Sequence, residues 1–159
     1  MTQPPALQSP GVRFPPPLLF VGGLVAGWLL GRFVRALPMA ADGRVLDAAG
    51  TVFIVLGVGL AAWGMITFRL ARTAIVPLHP ASSIVTNGPY RFTRNPMYTG
   101  LTLVYLGISL YMNSVWALLA LPIVLALLVR LVVRREEAYL RGAFPDDYGA
   151  YQSRVRRWL

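Results

Sequence analysis

Two short polar stretches of this apolar chain contain the residues best suited to bind a charged ligand. The first, TNGPYRFTRNPMYTG, is residues 86–100 and contains two arginines, two tyrosines and two asparagines. The second, VRLVVRREEAYLRGAF, is residues 129–144 and contains the adjacent carboxylates Glu136 and Glu137. Arginine pairs with carboxylate or phosphate groups, and a tyrosine ring can receive a cation on its face. Together the stretches suit a ligand that carries both signs of charge.

Asn95 and Pro96 predict the start of a helix. Asparagine is a favoured N-cap, and proline fits the first helical position because no N–H is needed there. We expect the first backbone N–H groups of this helix to be unpaired and exposed, so that they attract an anion together with Arg94. Tyr90 and Tyr98 would lie beside that anion. Taken alone, the Asn-Pro pair is also consistent with a simple helix start.

The two adjacent glutamates are expected to have different roles. Neighbouring residues of a helix point about 100° apart, so only one of the two carboxylates can readily face a shared pocket. Glu137 and Arg141 have the i, i+4 spacing that is typical of a solvated helix face. Glu136 is therefore the candidate ligand-binding carboxylate. No catalytic residue stands out from the pattern, and Glu137 and Arg94 are the candidates for that role.

The composition indicates an integral membrane protein. Hydrophobic residues make up 56% of the 159 residues and charged residues 13%, which leaves too little polar surface to cover a soluble domain. The net charge of +9 does not indicate nucleic acid binding, because the arginines lie at the ends of apolar segments. The absence of cysteine and the single histidine, His79, exclude thiolate and polyhistidine metal sites. A lipid bilayer is the expected partner, with no nucleic acid and no metal.

The apolar segments predict an all-α, polytopic membrane helix bundle with about four transmembrane helices and a cytoplasmic helical tail. A helix needs about 20 apolar residues to cross the hydrocarbon core. The uncharged stretch 95–129 would be about 52 Å long as one helix, so we expect a turn at Asn113-Ser114. The predicted spans are Phe14 to Gly31, Ala48 to Phe68, Pro96 to Met112 and Val115 to Val133.

Two glycine patterns in the apolar segments are interpreted as helix packing. Gly23, Gly27 and Gly31 recur at every fourth position, which predicts a face for close contact with another helix. Residues 57–62 match the G-x-G-x-x-A dinucleotide motif, but that motif requires a strand-to-helix turn and a later acidic residue. Neither is expected in an apolar helix. A nucleotide site is therefore rejected.

The distribution of arginines predicts the orientation of the four spans. Twelve arginines fall on the side of both termini and three on the other side. Because cytoplasmic segments carry the excess of arginine and lysine, both termini are expected in the cytoplasm. The proline-rich residues 1–15 are expected to be a disordered lead-in, and residues 16–159 a single membrane domain.

The two polar stretches resemble one superfamily of membrane enzymes. GPYRFTRNPMYTG, followed further along the chain by RREEAYLRGAFPDDYGAYQSRVRRWL, is similar to the isoprenylcysteine carboxyl methyltransferase and phospholipid methyltransferase superfamily. The resemblance covers about residues 73–159, which would form the cofactor-binding half. It implies a multi-pass enzyme of the bacterial inner membrane that transfers a methyl group from S-adenosylmethionine to a lipophilic acceptor. That acceptor could be an isoprenylcysteine-like carboxylate, a phospholipid amine or another small lipophile.

The resemblance also implies a set of cofactor contacts. Residue chemistry and resemblance agree on Tyr90, Asn95, Tyr98 and Glu136, and Arg94 is added because of its charge beside the helix start. The remaining members depend mainly on the resemblance. The full predicted set is Ser82, Ser83, Ile84, Val85, Tyr90, Arg94, Asn95, Pro96, Met97, Tyr98 and Glu136.

One departure from the superfamily pattern concerns the acceptor. Val132 occupies the position, one helical turn before Glu136, at which related carboxyl methyltransferases place a substrate-contacting arginine. This difference argues against a carboxylated prenylcysteine substrate. Arg130 and Arg134 flank the position and are the candidate substrate-binding residues, although Arg130 could instead extend to the membrane interface.

A non-enzymatic membrane protein is the alternative interpretation. A scaffold or a transporter subunit could use the arginines around the last span to bind anionic lipid. It would have no need for an Asn-Pro-x-Tyr helix start combined with Glu136. Binding of S-adenosylhomocysteine would distinguish the two classes, because a scaffold has no reason to bind it.

Overall fold

The computed structural model describes residues 11–12, 15–71 and 84–158, and all regular structure in these ranges is helical. The predicted all-α class is thus confirmed for this part of the chain. A 3₁₀ turn, Gly88–Arg91, precedes the third helix, and a π-helical segment, Val129–Val133, joins the fourth helix to the fifth. The helices are α1 Pro17–Phe33, α2 Gly43–Leu70, α3 Pro96–Tyr111, α4 Val115–Leu128, α5 Arg134–Ala143 and α6 Pro145–Arg154.

Two helical segments in the described ranges are long and apolar enough to cross a bilayer. They are α2 and the continuous helix Val115–Ala143, which consists of α4, the π-helical segment and α5. Helices α1 and α3 have 17 and 16 residues, fewer than the about 20 that a span requires. The two long segments indicate a membrane protein. The count of four spans and the cytoplasmic position of the termini stay predictions.

Helices α1 to α4 pack as antiparallel neighbours, with α2 against α3 and α1 against α4. At one end of the bundle, the loop after α1 is joined to the start of α4 by a hydrogen bond from Val115 N to Leu37 O, 3.0 Å long. At the other end, Arg135 Nη1 donates to the carbonyl oxygen of Gly11 at 2.9 Å. Gly11 and the polar α5 therefore lie at the same end of the bundle.

The predicted turn at Asn113-Ser114 is confirmed. Asn113 has a φ of 44°, in the left-handed region that asparagine tolerates better than most residues. The hydroxyl of Ser114 accepts a hydrogen bond from Ala117 N at 3.4 Å and so caps α4. Helix α4 begins at Val115, as the sequence predicts.

Glycines bring α2 and α3 into backbone contact. Gly50, Gly57 and Gly64 recur at every seventh position of α2, and all three are buried. A Cβ atom on Gly57 would lie 2.5 Å from the carbonyl oxygen of Gly100, and one on Gly50 would lie 3.0 Å from that of Gly107. Gly57, the first glycine of the rejected dinucleotide motif, therefore has a packing role.

The predicted packing face of α1 is confirmed at two of its three glycines. Gly23 and Gly27 are buried, and their missing Cβ atoms leave room for Tyr105 and for the backbone of Ala117. Gly31 is less enclosed, since a Cβ there would have its nearest neighbour at 4.0 Å. The two glycines are four residues apart, so the face seats α1 against α3 and α4 over about one helical turn.

We expect Gly57→Ala to reduce the free energy of unfolding by roughly 1–3 kcal/mol, because the added methyl group collides with the α3 backbone. Gly59→Ala on the same helix is the matched control, since a Cβ there meets nothing within 4 Å. The control should be neutral, or more stable by about 0.5–1 kcal/mol through helix propensity. Thermal unfolding of detergent-purified variants measures both effects. Equal shifts in the two variants would contradict the close approach of α2 and α3.

Candidate functional site

One hydrogen bond brings the two polar stretches together. Tyr98 is the third residue of α3, and Glu136 is in the first turn of α5. The Tyr98 hydroxyl donates to Glu136 Oε1 at 2.7 Å. Sequence reasoning selected both residues as ligand contacts without placing them against each other. The structure shows that they are direct partners.

Tyr90 lies beside this pair and has an unsatisfied hydroxyl. Its side chain is buried, its ring packs edge-on against Phe68 with 5.0 Å between centroids, and its Oη has no hydrogen-bond partner among the described residues. Burial raises the pKa of the Tyr90 phenol, and the neighbouring Tyr151 and Glu136 raise it further. Tyr90 therefore remains protonated at physiological pH and can donate a hydrogen bond.

Helix α3 starts at Pro96 as predicted, but its first turn is covered rather than exposed. Asn95 and Pro96 are both buried. The Asn95 side chain makes no capping bond, and its Nδ2 donates instead to the carbonyl oxygen of Arg157 at 3.0 Å. Thr93 Oγ1 donates to the same oxygen at 3.0 Å. The predicted exposed helix start is wrong, because the C-terminal tail lies over it.

The C-terminal tail, defined here as residues 151–158, also fixes the backbone before α3. The Arg94 N–H donates to the carbonyl oxygen of Arg156 at 2.9 Å. The Tyr151 hydroxyl donates to the carbonyl oxygen of Tyr90 at 2.7 Å. Burial raises the pKa of the Tyr151 phenol, so this donor also stays protonated. The tail therefore positions the turn that carries Tyr90.

Glu137 is buried and paired, which overturns its predicted place on a solvated face with Arg141. It is 4% exposed. Its carboxylate accepts hydrogen bonds from Arg157 Nε at 2.9 Å and from Arg157 Nη2 at 2.7 Å. This pairing raises the pKa of Arg157. The tail folds back over α5 and supplies a partner from a distant part of the chain, and this engagement argues against Glu137 as a general base.

Arg94 retains capacity to bind a ligand. Its side chain is 13% exposed, and its Nη1 lies 3.6 Å from Glu137 Oε1. That distance allows an ion pair but is too long for a hydrogen bond. Arg94 Nε and Nη1 are buried and have no hydrogen-bond partner among the described residues. Glu137 thus balances the charge of Arg94 while two N–H donors remain free.

The other predicted cofactor residues have varied positions. Ser82 and Ser83 lie outside the described residues. Ile84 is half-buried and Val85 is buried, and both precede the 3₁₀ turn that contains Tyr90. Met97 is half-buried in the first turn of α3. None of these apolar side chains has the hydrogen-bonding capacity found at Tyr90 and Arg94.

A cavity of about 710 Å³ lies between α3, the long helix Val115–Ala143 and the tail. Both candidate substrate-binding residues, Arg130 and Arg134, line it from the long helix. Apolar residues of α4 form another part of its wall. The other polar and aromatic lining residues are Thr99 and Thr102 of α3 and Trp158 of the tail.

The π-helical segment and the residue after it present two different faces. Val132 and Val133 are completely buried in the hydrophobic core, whereas Arg130 and Arg134 are exposed and line the cavity. A π-turn adds a residue to the helical repeat and occurs frequently at functional sites. Because its side chain is completely buried, Val132 belongs to the core. The hydrophobic pattern gave no signal for this segment.

Sequence reasoning also missed the contributions of Arg157, Tyr151 and Trp158. The only available signal was that the family-like pattern continues to the end of the chain, through RVRRWL. These residues reach the site through the return of the tail. Their roles therefore depend on contacts between segments far apart in sequence.

Comparison with known proteins gives one matching family and several relatives. The family described as "Phospholipid methyltransferase" matches residues 46–147, a range that includes both Tyr98 and Glu136. A relative from Haemophilus influenzae, named only "Uncharacterized protein", is 36% identical over 63 residues, which are 40% of this chain and 100% of the relative. No solved structure shows significant similarity to the chain.

Two further relatives are longer proteins. The "Cobalt-zinc-cadmium resistance protein CzcN" of Cupriavidus metallidurans is 33% identical over 92 residues, covering 58% of this chain and 41% of CzcN. A "Probable protein-S-isoprenylcysteine O-methyltransferase" of Oryza sativa is 24% identical over 112 residues, covering 69% of this chain and 59% of the rice protein. This chain therefore aligns with about half the length of these two relatives. Since the family match extends over more than half of the chain, the chain belongs to the phospholipid methyltransferase family.

Proposed function

We propose that the protein is an integral membrane methyltransferase that uses S-adenosylmethionine to methylate a lipophilic acceptor. Membership of the phospholipid methyltransferase family supports the membrane methyltransferase class. The observation that carries the cofactor assignment is the Tyr98–Glu136 hydrogen bond, which joins the two polar stretches into one site. The relatives' names do not agree on an acceptor, so none of them fixes the acceptor of this chain.

The free buried polar groups at the site fit S-adenosylmethionine. This cofactor carries a carboxylate, positively charged groups, hydroxyls and an aromatic base. The unpaired Nε and Nη1 of Arg94 would hold the carboxylate. The unpaired hydroxyl of Tyr90 would bind a polar group of the cofactor, and Glu136, with the ring of Tyr98 beside it, would bind its positive part.

The contribution of the protein to methyl transfer is orientation in a dry site. When bound, S-adenosylmethionine supplies a methyl group on a positively charged sulfur, which an acceptor attacks in line. Tyr98 holds the Glu136 carboxylate in place, and Tyr151 holds the turn that carries Tyr90. A carboxylate or thiolate acceptor needs no general base, whereas an amine or an alcohol does. The Glu137 carboxylate is engaged by Arg157, so we propose no base from this site.

Calorimetry with S-adenosylhomocysteine tests this proposal. We expect the purified protein to bind it, and Tyr98→Phe to weaken binding by roughly tenfold, because the Glu136 carboxylate then loses its hydrogen-bond donor. Tyr111→Phe is the matched control. It removes a similar tyrosine hydroxyl, which lies 2.6 Å from Thr51 Oγ1 near the opposite end of α3. Failure of the wild-type protein to bind would instead favour a lipid-binding scaffold.

A further inference from the structure

Two arginines approach the same buried carboxylate, that of Glu137, but only one of them is hydrogen-bonded to it. Arg157 Nε donates to Glu137 Oε1 at 2.9 Å, and Arg157 Nη2 donates to Oε2 at 2.7 Å. Arg94 Nη1 approaches Oε1, the oxygen that already accepts from Arg157 Nε, and stays 3.6 Å away. That separation is too long for a hydrogen bond. Arg157 therefore holds the carboxylate, and Arg94 lies just out of its reach.

The hold of Arg157 fixes the orientation of the Glu137 carboxylate. A guanidinium group that donates from two nitrogens to both oxygens fixes the plane of a carboxylate as well as its distance. The backbone of Arg157 is also anchored, since its carbonyl oxygen accepts from Thr93 Oγ1 and from Asn95 Nδ2, each at 3.0 Å. The Arg157 side chain thus extends from a fixed backbone and keeps Glu137 in one orientation.

The unpaired nitrogens of Arg94 depend on that orientation. The Tyr148 side chain of α6 also interacts with the Arg94 guanidinium, yet Arg94 Nε and Nη1 are buried and have no hydrogen-bond partner among the described residues. Charge-assisted hydrogen bonds are about 2.7–2.9 Å long, so a movement of Glu137 Oε1 by less than about 1 Å would close the gap to Nη1. Because an unpaired buried donor costs free energy, we expect Glu137 to make this movement once Arg157 releases it.

A released Glu137 would occupy the donors that the cofactor needs. Under the proposed function, Arg94 Nε and Nη1 hold the carboxylate of S-adenosylmethionine. Glu137 is itself a carboxylate, and as part of the same chain it would compete at a high effective concentration. The cofactor would then have to displace Glu137 from Arg94 before it could bind. An Arg157 that holds Glu137 in place prevents this competition.

We propose that Arg157 is a positioning residue for cofactor binding, which holds the Glu137 carboxylate away from Arg94 and so keeps two Arg94 donors free for the carboxylate of the cofactor. This inference rests on the proposed function and gives the C-terminal tail a part in it. A purely structural tail would affect all ligands of the site alike. The competition with Glu137 affects only ligands that carry a carboxylate.

Calorimetry of Arg157→Gln with S-adenosylhomocysteine and its decarboxylated analogue tests the proposal. Glutamine has no charged fork with which to hold both oxygens of Glu137, so Glu137 should pair with Arg94. We expect roughly tenfold weaker binding of S-adenosylhomocysteine. Binding of the analogue should change by less than about twofold. Equal losses for the two ligands would overturn the proposal.

Arg156→Gln is the matched control for the charge of the tail. The Arg156 side chain is exposed, and the hydrogen bond from Arg94 N to its carbonyl oxygen involves only the backbone. We expect both affinities to stay within about twofold of the wild-type values. A selective loss as large as that of Arg157→Gln would assign the effect to the net charge of the tail and overturn the role of Arg157.

A second substitution, at Glu137, distinguishes competition from a loss of structure. In the double variant Arg157→Gln with Glu137→Gln, no carboxylate remains at position 137 to pair with Arg94. We expect binding of S-adenosylhomocysteine to recover to within about threefold of the wild-type value, where Glu137→Gln alone should also lie. A tail with only a structural role gives no such recovery. A double variant that binds as weakly as Arg157→Gln would therefore overturn the proposal.

Arg157→Lys provides the same test if Arg157→Gln does not stay folded. Lysine keeps the positive charge but lacks the fork that fixes both carboxylate oxygens. We expect a selective loss of roughly threefold for S-adenosylhomocysteine, with thermal unfolding closer to that of the wild-type protein. Equal losses for both ligands in this variant would also contradict the proposal.

Binding of S-adenosylhomocysteine by the wild-type protein separates this proposal from the proposed function. Normal wild-type binding, combined with an unselective loss or no loss in Arg157→Gln, would overturn the role of Arg157 alone. Absence of binding in the wild-type protein would overturn the proposed function and the role of Arg157 with it.

Discussion

Glu136→Gln is expected to weaken the binding of S-adenosylhomocysteine by roughly tenfold while leaving thermal unfolding close to that of the wild-type protein. Glutamine can still accept the hydrogen bond from Tyr98, so the local structure should persist. What the variant loses is the negative charge that would bind the positive part of the ligand. Calorimetry on the folded protein measures the loss of affinity.

Glu137→Gln is the matched comparison and should lower the stability of the protein. Glu137 accepts two hydrogen bonds from Arg157 and balances the charge of Arg94. Breaking a fully buried ion pair costs about 3–5 kcal/mol. Because the Arg157 side chain is 37% exposed, we expect a smaller loss of roughly 1–3 kcal/mol in the free energy of unfolding.

The pair of variants tests which glutamate faces the ligand. Thermal unfolding by circular dichroism should separate them, with a lower transition temperature for Glu137→Gln only. Ligand binding should be measured at a temperature where both variants are folded. If the two variants lost affinity equally and unfolded at the same temperature as the wild-type protein, the different roles assigned to Glu136 and Glu137 would be wrong.

Local sequence signals predicted those features of the fold that depend on residues close together in the sequence. The turn at Asn113 follows from the length that one helix can have in a bilayer, and the start of α3 follows from the preference of proline for the first helical position. The glycines of α1 predicted a close-packing face because their spacing places them on one side of a helix. Each of these features depends on neighbours in the sequence.

The roles of the two glutamates could not be predicted from such local signals alone. The i, i+4 spacing of Glu137 and Arg141 was the nearest available pair, yet the structure pairs Glu137 with Arg157. Nothing in the local pattern distinguishes these partners, because the choice depends on the return of the tail across α5. The exposed helix start was mispredicted for the same reason, since the tail also covers Asn95.

Arg94→Ala is expected to weaken S-adenosylhomocysteine binding by roughly 10- to 100-fold and to have a much smaller effect on its decarboxylated analogue. The physical reason is that Arg94 Nε and Nη1 are the buried donors left free for a carboxylate. The variant should remain folded, because Glu137 keeps its two hydrogen bonds from Arg157. Calorimetry with both ligands gives the ratio of the two losses.

Two further variants make the ratio interpretable. Tyr98→Ala should weaken both ligands alike, since Tyr98 contacts Glu136 and would meet a part of the cofactor that both ligands share. Arg91→Ala should affect neither, because Arg91 is exposed and lies over the ring of Phe92, 5.5 Å from its centroid. This control removes a charge of the same sign from the same loop. A nonspecific electrostatic effect would therefore appear in Arg91→Ala as well.

The ratio separates a binding site from a purely structural loop. If residues 93–96 only started α3 and held the tail, Arg94→Ala would lower stability and reduce the affinity for both ligands by the same factor. Such equal losses would exclude Arg94 as the carboxylate partner. A larger loss for the carboxylated ligand alone cannot arise from a general loosening of the loop, because the two ligands differ only in the group that Arg94 would hold. The selective loss would therefore assign the free donors of Arg94 to the carboxylate.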